Sequence, residues 1–467
     1  MVENSIANGR FSMYALIAKK RDGGCLRTEE IAFWLHGMLD GSIPDYQTAA
    51  MLMAIFWRGM NEEETFALTS EIVASGEQLD LSTIDGVTAD KHSTGGVGDK
   101  TTLIAMPLAA ACGLKIAKMS GRSLGKTGGT ADKLAAVPGF QLDLPELALL
   151  AQVSNMGLAV VAQNKNLTPA DKRLYALRDM TATVDSLPLI AASVMSKKIA
   201  AGAKVIVLDV KYGSGAFMPD AESAVRLAQL MVKLGRSAGR RVTAVISAME
   251  APLGSAVGNA LEVDEAVEIL RACGQAVSAD LQRLSVILAG ELLYLGGLAA
   301  DRAAGWRQAG EALQDGRGWR KLLEFLQAQG GDVSALQAGR LTQAEFVLPI
   351  VAEKAGYLAA TDAAQVAEVV HFLGAGRERV EDEIDYQVGV RFKQPAGARV
   401  EAGEVLAEVY ASSLLRAEVA VRDLQDILRI QAEPPRLASL IWGLVDEQGQ
   451  VLPWAEIEEL AEKKSLV

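Results

Sequence analysis

The chain has 467 residues, of which 50% are hydrophobic and 22% charged, so it can form two or three domains with sizeable cores. Its formal net charge of −12 argues against a nucleic-acid-binding surface. Three scattered cysteines predict a reduced protein without a disulfide framework. The N-terminus shows no apolar signal segment, and the longest apolar run is interrupted by Pro107. We therefore expect a cytoplasmic protein without a membrane or nucleic-acid partner.

The N-terminal segment is predicted to be helical. Apolar residues recur at spacings of three and four within Ile31–Leu39 and again within Leu52–Phe56. Asn61 and Glu64 have the spacing of a capping box, which predicts the start of a further helix. Apolar stripes of this kind are typical of a core or an interface rather than of a catalytic site.

Short apolar runs alternate with helical segments from about residue 84 onwards. The predicted strands are Lys115–Ala117, Gly157–Ala162, Val205–Val210 and Val242–Ile246, and Ala221–Leu234 is a predicted helix. This alternation predicts an α/β fold with a parallel or mixed sheet. Because polar or glycine-rich loops follow these strands, we expect the ligand site at their carboxyl ends. Residues 167–201 and 260–340 are predicted to be helical, and short β segments begin near Phe346.

Residues 90–140 carry the strongest anion-binding signal. Two clusters rich in Gly, Ser, Thr and Lys, Lys91–Thr102 and Lys118–Thr130, flank the apolar run Leu103–Leu114. Backbone N–H groups of such turns, helix N-termini and lysine ammonium groups together favour phosphate binding. The sequence therefore predicts one anion site formed by two loops.

A nucleotide P-loop is excluded at both clusters. Gly125, Lys126 and Thr127 resemble the end of that motif, but Ser120 stands where its first glycine is required. In the first cluster, Asp99 separates the glycine from the lysine.

A second group of candidate residues follows further along the chain. Ser193 and Lys197 are four residues apart in a predicted helix and share one face. Together with Arg178 they could hold a planar ring that bears carbonyl groups, although spacing alone favours an ordinary solvated face. His92 stands beside a lysine and a serine at a predicted strand end, which favours a site role. His36 and His371 are better explained as structural.

Five motifs occur in one order: KHSTGGVGDKTT, AKMSGRSLGKTGGTADK, PADKRLYALRD, SVMSKKIAAGA and VLDVKYGSGAFM. The chain resembles the thymidine and pyrimidine-nucleoside phosphorylases over nearly its whole length. The resemblance implies reversible phosphorolysis of a pyrimidine nucleoside to the free base and a pentose 1-phosphate. It also implies a homodimer formed through a helical domain, phosphate as co-substrate and no organic cofactor.

The resemblance further implies three domains. A small helical domain, residues 1–72 completed by 165–197, would face a large mixed-sheet α/β domain, residues 73–164 and 198–340, across a cleft. A β-rich domain of the α/β hammerhead type would occupy residues 341–467.

Site residues follow from the matching motifs. The phosphate would be held by six residues: Lys91, Ser93, Thr102, Lys118, Ser120 and Thr130. The base would be held by four: His92, Arg178, Ser193 and Lys197, of which His92, Arg178 and Lys197 would be catalytic.

Lys118 also bears on substrate range. Broad-range pyrimidine-nucleoside phosphorylases typically read AKMSGR here, as this chain does, and strict thymidine phosphorylases read PMISGR. The family pattern is altered at five positions: Ser123, Lys126, Ala135, Ala136 and Tyr212. These changes leave a non-catalytic nucleoside-binding protein as an alternative. A phosphoribosyltransferase and an archaeal-type nucleotide phosphorylase are further alternatives.

Lys100 is a sixth departure. Broad-range relatives often have threonine there and bind a monovalent cation, which the resemblance would place at five residues: Gly98, Lys100, Leu253, Ala256 and Glu265. Two arrangements are open. The Lys100 ammonium replaces potassium and pairs with Glu265, or it points to solvent while its carbonyl still binds the ion.

Overall fold

The computed structural model describes residues 11–121, 128–163, 166–275, 278–338, 341–377 and 382–462. The chain begins with four helices: α1 (Met13–Arg21), α2 (Thr28–Asp40), α3 (Asp45–Arg58) and α4 (Glu62–Ala74). The predicted capping box opens α4, because the Glu64 N–H donates to Asn61 Oδ1 at 2.8 Å and the Asn61 N–H donates to Glu64 Oε2 at 2.9 Å. Both groups satisfy backbone donors that the first helical turn leaves unpaired.

The middle of the chain alternates strands and helices, as predicted. The elements in order are β1 (Thr88–Ser93), α5 (Thr101–Ala111), β2 (Lys115–Ser120), α6 (Thr130–Ala135), α7 (Glu146–Met156), β3 (Leu158–Ala162), α8 (Pro169–Met180), α9 (Leu187–Ala200), β4 (Val205–Tyr212), α10 (Ala221–Ser237), β5 (Arg241–Ala248), β6 (Ala256–Val257) and α11 (Asn259–Arg271). All four strands predicted from apolar runs are present.

The remaining elements are helical at first and then strand-rich. They are α12 (Ala279–Leu295), α13 (Arg302–Gln314), α14 (Arg317–Ala328), α15 (Val333–Gln337), β7 (Phe346–Val351), β8 (Gly356–Leu358), α16 (Ala363–Val370), β9 (Gly389–Phe392), β10 (Arg399–Val400), β11 (Val405–Ala411), α17 (Leu414–Ile427), β12 (Ile430–Gln431), β13 (Ile441–Val445), β14 (Val451–Pro453) and α18 (Trp454–Glu462). No helix in the described ranges is long and apolar enough to cross a membrane.

One large mixed sheet organises the α/β part. Its strand order is β14-β13-β5-β4-β1-β2-β3. The five strands β5, β4, β1, β2 and β3 run parallel to one another. Strand β13 is antiparallel to β5, and β14 is antiparallel to β13. Parallel strands buried on both faces explain the continuous apolar runs in the sequence. The predicted fold class is confirmed: a helical part, a mixed-sheet α/β part and a strand-rich C-terminal part.

The helical part is built from two stretches of the chain. Trp34 and Leu35 of α2 and Ile55 of α3 belong to one buried cluster with Leu174 of α8 and Leu189 of α9. The segment that returns after β3 therefore shares a core with the N-terminal helices. Helix α9 also contributes Ile190 and Met195 to the core beside β4 and β5, so it lies between the helical bundle and the sheet.

The predicted boundary of the C-terminal domain needs a correction. Strands β7, β9 and β11 form a separate sheet that also takes in β6, and β8, β10 and β12 form a third sheet. However, β13 pairs with β5 of the large sheet, so residues 441–453 do not belong with the rest of 341–467. The sequence did not show this return because a short apolar strand does not specify its partner strand.

Candidate active site

The neighbouring strands β4, β1 and β2 bring four of the six predicted phosphate residues together at their carboxyl ends: Lys91, Ser93, Lys118 and Ser120. These strands are adjacent and parallel, with Lys91 opposite Val207 and Ser93 opposite Asp209. Alternate side chains of a strand point to opposite faces of a sheet. Consecutive β1 residues, Asp90 and Lys91, accordingly take part in two different groups of buried ion pairs.

The first group, the Asp90 cluster, consists of Asp90, Lys118 and Lys198. Lys198 Nζ lies 2.7 Å from Asp90 Oδ2, and Lys118 Nζ lies 3.3 Å from Asp90 Oδ1. Lys118 Nζ also donates to the Lys91 carbonyl at 2.5 Å, and all three cluster residues are buried. Burial acts to raise the pKa of Asp90, but the two ammonium groups outweigh it and the pKa lies below its usual value.

Lys118 has an unusual protonation equilibrium. Burial, opposed by Asp90 but reinforced by the positive charges of Lys198 and Lys91, lowers the pKa of Lys118 to about 7. An added anion beside this ammonium would favour its charged form. The group is therefore suited to respond to phosphate.

The second group, the Asp209 cluster, consists of Lys91, Asp99, Asp209 and Lys211. Asp209 Oδ2 lies 2.7 Å from Lys211 Nζ and 3.8 Å from Lys91 Nζ, and Asp99 Oδ1 lies 3.9 Å from Lys91 Nζ. Burial acts to lower the pKa of Lys211, but Asp209 and Asp99 outweigh it and the pKa is raised. Burial also lowers the pKa of Lys91, against the opposing effect of both aspartates.

The two clusters together contain four lysines and three aspartates. Buried charges are normally paired because an isolated charge in a protein interior is costly. When Lys118 is charged, the clusters hold one positive charge more than the number of negative charges, which is a physical reason for an anion to bind at these strand ends.

The four hydroxyl residues of the predicted set lie at these strand ends or in the helices that follow them in the chain. Ser93 and Ser120 end β1 and β2, Thr102 lies in the first turn of α5, and Thr130 begins α6. Ser93 Oγ accepts a hydrogen bond from the Gly95 N–H at 3.2 Å. Thr102 is buried, whereas the other three are half-buried. The altered positions Ser123 and Lys126 lie outside the described residues.

The glycine-rich loop after β1 is packed too closely for larger residues. Gly98 has a φ of +69°, and a Cβ there would lie 2.7 Å from the Leu253 carbonyl oxygen. Lys133 of α6 ties this loop to the second one, because its Nζ donates to the Asp99 carbonyl at 3.1 Å and to the Gly128 carbonyl at 2.9 Å. The two loops predicted to form one site are thus joined by a buried lysine.

Three of the four predicted base-binding residues lie in a second region on α8 and α9. This base-side cluster consists of five residues: Asp171, Tyr175, Arg178, Ser193 and Lys197. Lys197 Nζ lies 2.7 Å from Asp171 Oδ2 and 3.1 Å from Ser193 Oγ. The Tyr175 ring lies beside both cations, with its centroid 5.7 Å from Arg178 Cζ and 5.9 Å from Lys197 Nζ. The structure therefore brings Arg178, Ser193 and Lys197 together.

Arg178 is buried and firmly held. Its guanidinium donates to the carbonyls of Thr183 at 3.3 Å, Val184 at 2.6 Å and Leu189 at 3.2 Å. Burial lowers its pKa, and the charge of Asp171 partly offsets the effect. A guanidinium has five N–H donors. Three backbone contacts fix its orientation while leaving donors for a ligand.

Helix α9 connects the two regions through consecutive lysines. Lys197 pairs with Asp171 of the base-side cluster, and Lys198 pairs with Asp90 at the strand end. His92 lies within the influence of both regions: burial and the positive charges of Lys198, Lys118 and Lys197 hold its pKa well below the ordinary value. At neutral pH its imidazole is therefore uncharged and can donate one N–H.

The residues at the expected cation position do not fit a potassium ion. Of the two arrangements open for Lys100, the structure has the one in which its ammonium pairs with Glu265, at 2.6 Å. Lys100 Nζ also donates to the Ala256 carbonyl at 2.6 Å. Burial acts to raise the pKa of Glu265, but Lys100 and further hydrogen bonds outweigh it and the pKa is lowered.

Several residues of the site were not predicted from the sequence. Asp171 and Tyr175 precede Arg178 at helical spacings of seven and three residues, which could have revealed their common face. Asp209 and Lys211 are charged residues inside the apolar strand β4, and such interruptions signal buried ion pairs. Asp90 lies in the mostly polar strand β1, where no such signal marks it.

Comparisons with known proteins agree with this architecture. Residues 14–76 match the model of a glycosyl transferase family helical bundle domain, and residues 85–319 match that of the glycosyl transferase family a/b domain. Residues 357–431 match the pyrimidine nucleoside phosphorylase C-terminal domain. The fold and the site thus define a glycosyltransferase.

Two similar proteins of known name narrow the class. The chain is 47% identical to the pyrimidine-nucleoside phosphorylase of Geobacillus stearothermophilus over 93% of its own length and 99% of that protein. It is 46% identical to the pyrimidine-nucleoside phosphorylase of Bacillus subtilis strain 168, over 93% of this chain and 100% of that one. The chain belongs to the pyrimidine-nucleoside phosphorylase family and is an enzyme of the pentosyltransferase class.

One solved structure of a different enzyme is similar in fold. Anthranilate phosphoribosyltransferase from Thermus thermophilus superposes with a TM-score of 0.54 at 20% identity, covering 67% of this chain and 98% of that one. At this identity the likeness concerns the fold alone.

Proposed function

We propose that the protein catalyses the reversible phosphorolysis of uridine, thymidine and deoxyuridine to the free base and ribose or deoxyribose 1-phosphate. One observation carries the proposal: Lys197 and Lys198 join a strand-end region with an excess positive charge to a helical region suited to a planar ring. Lys118 within AKMSGR supports the broad pyrimidine range over the strict thymidine enzyme.

The strand ends serve as the phosphate side. The excess positive charge of the two clusters attracts the dianion, with Lys118 and Lys91 as its nearest cations. Four hydroxyl side chains complete the set that we assign to phosphate: Ser93, Thr102, Ser120 and Thr130. Fixing the nucleophile on buried strands lowers the entropic cost of its attack.

The base-side cluster stabilises the leaving group. As the bond from the sugar to the base breaks, the pyrimidine gains negative charge on its carbonyl oxygens and ring nitrogen. Arg178 and Lys197 supply positive charge where this negative charge develops, and Ser193 supplies a hydroxyl. The uncharged His92 donates a hydrogen bond to the base and does not act as an imidazolium acid, because its pKa is depressed.

The reaction balances without another reactant. An oxygen of hydrogen phosphate forms a bond to the anomeric carbon while the carbon–nitrogen bond to the base breaks. The bonding electron pair leaves with the base. The proton that hydrogen phosphate loses balances the base anion, so no organic cofactor takes part.

An assay with three nucleosides and one nucleotide tests the proposal. Purified protein is incubated with uridine, thymidine, deoxyuridine or uridine monophosphate, each with and without phosphate, and the free base is measured by chromatography. We expect base from the three nucleosides only when phosphate is present. Release from thymidine and deoxyuridine but not uridine would indicate a strict thymidine enzyme. Release from the monophosphate alone would indicate a nucleotide phosphorylase, and no release by folded protein would indicate a binding protein.

We further propose a homodimer formed through the helical domain. Large apolar side chains of α1 and α3 are exposed on neighbouring helices, including Tyr14 and Trp57, each 77% exposed, and Tyr46, 74% exposed. Such a patch favours an interface. Light scattering of Trp57→Glu should give a monomer mass where the parent chain gives twice that mass. A cytoplasmic location is supported by the three free cysteines, two of which are exposed.

A further inference from the structure

Lys100 is a buried cation outside the charge clusters already described. It immediately precedes α5, and its side chain has an exposed fraction of 0%. Its ammonium donates to the Ala256 carbonyl and to Glu265 Oε2, both at 2.6 Å. A lysine is almost never fully buried unless it is paired, and these two oxygen atoms are the partners that make burial of Lys100 possible.

Oxygen atoms from separate segments surround the ammonium. A Cβ placed on Gly98 would lie 3.4 Å from Lys100 Nζ, 2.7 Å from the Leu253 carbonyl oxygen and 3.2 Å from the Ala256 carbonyl oxygen. The loop after β1 and the segment before β6 therefore meet at this ammonium. Carbonyl and carboxylate oxygens of this kind also bind a monovalent metal ion, which carries the same charge.

Glu265 of α11 completes the surroundings. Its carboxylate accepts hydrogen bonds from the Ser255 N–H at 2.6 Å, the Ser255 hydroxyl at 2.9 Å and the Ala256 N–H at 2.8 Å, and also from the Ser278 hydroxyl. The carboxylate is thus well provided with neutral donors, and Lys100 supplies the positive charge. The arrangement is neutral overall and needs no further ion.

The position of Lys100 links this arrangement to the phosphate side. The next residue, Thr101, accepts a hydrogen bond from Lys91 Nζ at 2.5 Å and donates one to Asp99 Oδ1 at 2.6 Å. Fixing residue 100 therefore fixes a threonine that contacts the Asp209 cluster. Loss of the ammonium would free both the loop and the start of α5.

We propose that Lys100 is a tethered monovalent cation that holds the loop after β1 in its phosphate-binding geometry, so that the enzyme needs no free potassium ion. Lys100 is a positioning residue, because it contacts the loop and not the reacting atoms. The kinetic part of the test rests on the proposed function, whereas the thermal part does not.

The first experiment uses the unaltered protein. Its melting temperature and its KM for phosphate are measured while potassium chloride is replaced by tetramethylammonium chloride at constant ionic strength. A potassium ion that bound only the folded chain would raise the melting temperature with its concentration. We expect no change in either quantity. A melting temperature that rises with potassium would overturn the proposal.

Two variants provide the second experiment. In potassium-free buffer, Lys100→Thr should lower the melting temperature and raise the KM for phosphate more than it lowers kcat, because the loop loses its cation. Added potassium should restore both quantities, since the threonine leaves room for the ion and adds an oxygen. Lys100→Met should show the same losses without restoration, because its side chain has no oxygen ligand and fills the space. Lys354→Thr, at an exposed lysine, is the matched control and should behave as the parent chain.

Three results would contradict the proposal. Without potassium, Lys100→Thr could have the same melting temperature and KM for phosphate as the parent chain. Added potassium could leave both quantities of Lys100→Thr unchanged, or it could change them equally in Lys100→Thr and Lys100→Met. If Lys100→Thr folds only with potassium, its yield of folded protein with and without the ion becomes the readout, and such rescue would support the proposal. If the parent chain releases no base, the proposed function fails, but the melting temperatures still decide the role of Lys100.

Discussion

The two halves of the site use similar residues in different ways. At the strand ends, Lys198 and Lys211 are buried and each lies 2.7 Å from an aspartate oxygen. On the helices, the Lys197 side chain is 26% exposed and lies beside a serine and an aromatic ring as well as an aspartate. Buried pairs are costly to break, whereas a partly exposed lysine can exchange one partner for another. The lysines at the strand ends are therefore firmly held, whereas Lys197 on the helices is free to respond to a ligand.

Because of this contrast, we expect substitutions in the two halves to differ in how much they affect stability and activity. A change inside the strand-end clusters should weaken the fold as well as the activity. A change at Lys197, the partly exposed residue of the base-side cluster, should remove transition-state stabilisation and weaken the fold less.

The largest expected effect is on stability. Asp90→Asn leaves Lys118 and Lys198 buried beside a neutral amide, and removing one partner of a buried ion pair typically costs about 3–5 kcal/mol. Urea unfolding of the variant should show a loss of this size. As a control, Glu447→Gln breaks the more exposed pair with Arg241 and should cost about 0–1 kcal/mol. Equal losses in the two variants would contradict the contrast.

The second effect is on catalysis. Lys197→Met removes a cation from the leaving-group side, and loss of one such donor lowers kcat by about 10²–10³-fold. We expect the decrease in kcat with a smaller loss of stability than in Asp90→Asn, because Lys197 is partly exposed and Arg178 still supplies a positive charge near the buried Asp171. A variant that loses stability as severely as Asp90→Asn would show that the base half is structural.

The third and smallest effect is a pH dependence. Lys118 has a pKa of about 7, so it is mostly charged below this pH and mostly neutral above it. Since phosphate binding favours the charged ammonium, the KM for phosphate should rise as the pH increases beyond 7. Lys118→Arg stays charged throughout and is the control. The ionisation of phosphate itself affects the KM of both proteins equally, so it cancels in the ratio of the two KM values. A ratio that stays constant between pH 6 and 9 would refute this role of Lys118.

Local sequence signals predicted the parts of the fold and the site that depend on nearby residues. The capping box of α4, the alternation of strands and helices and the glycine-rich loops all follow from spacing or composition. The grouping of charged residues at the strand ends, to which we assign phosphate, also follows, because parallel strands present their carboxyl ends at one edge of the sheet.

Contacts between residues that are far apart in the sequence could not be predicted. Asp90 meets a lysine 108 residues further along the chain, and β13 returns to a strand about two hundred residues earlier. The buried role of Lys198 was missed because it directly follows Lys197, and neighbouring helical residues point in different directions. The roles of the site residues stay predictions until the variants are measured.

The central claim is that the two halves act together in phosphate-dependent cleavage of a nucleoside. Its most direct test follows uridine and inorganic phosphate by ³¹P NMR while uracil is measured in the same sample. We predict that a pentose 1-phosphate signal grows as inorganic phosphate falls, in equal amounts with uracil. Uracil released without loss of inorganic phosphate would contradict the claim, as would folded protein that forms neither product.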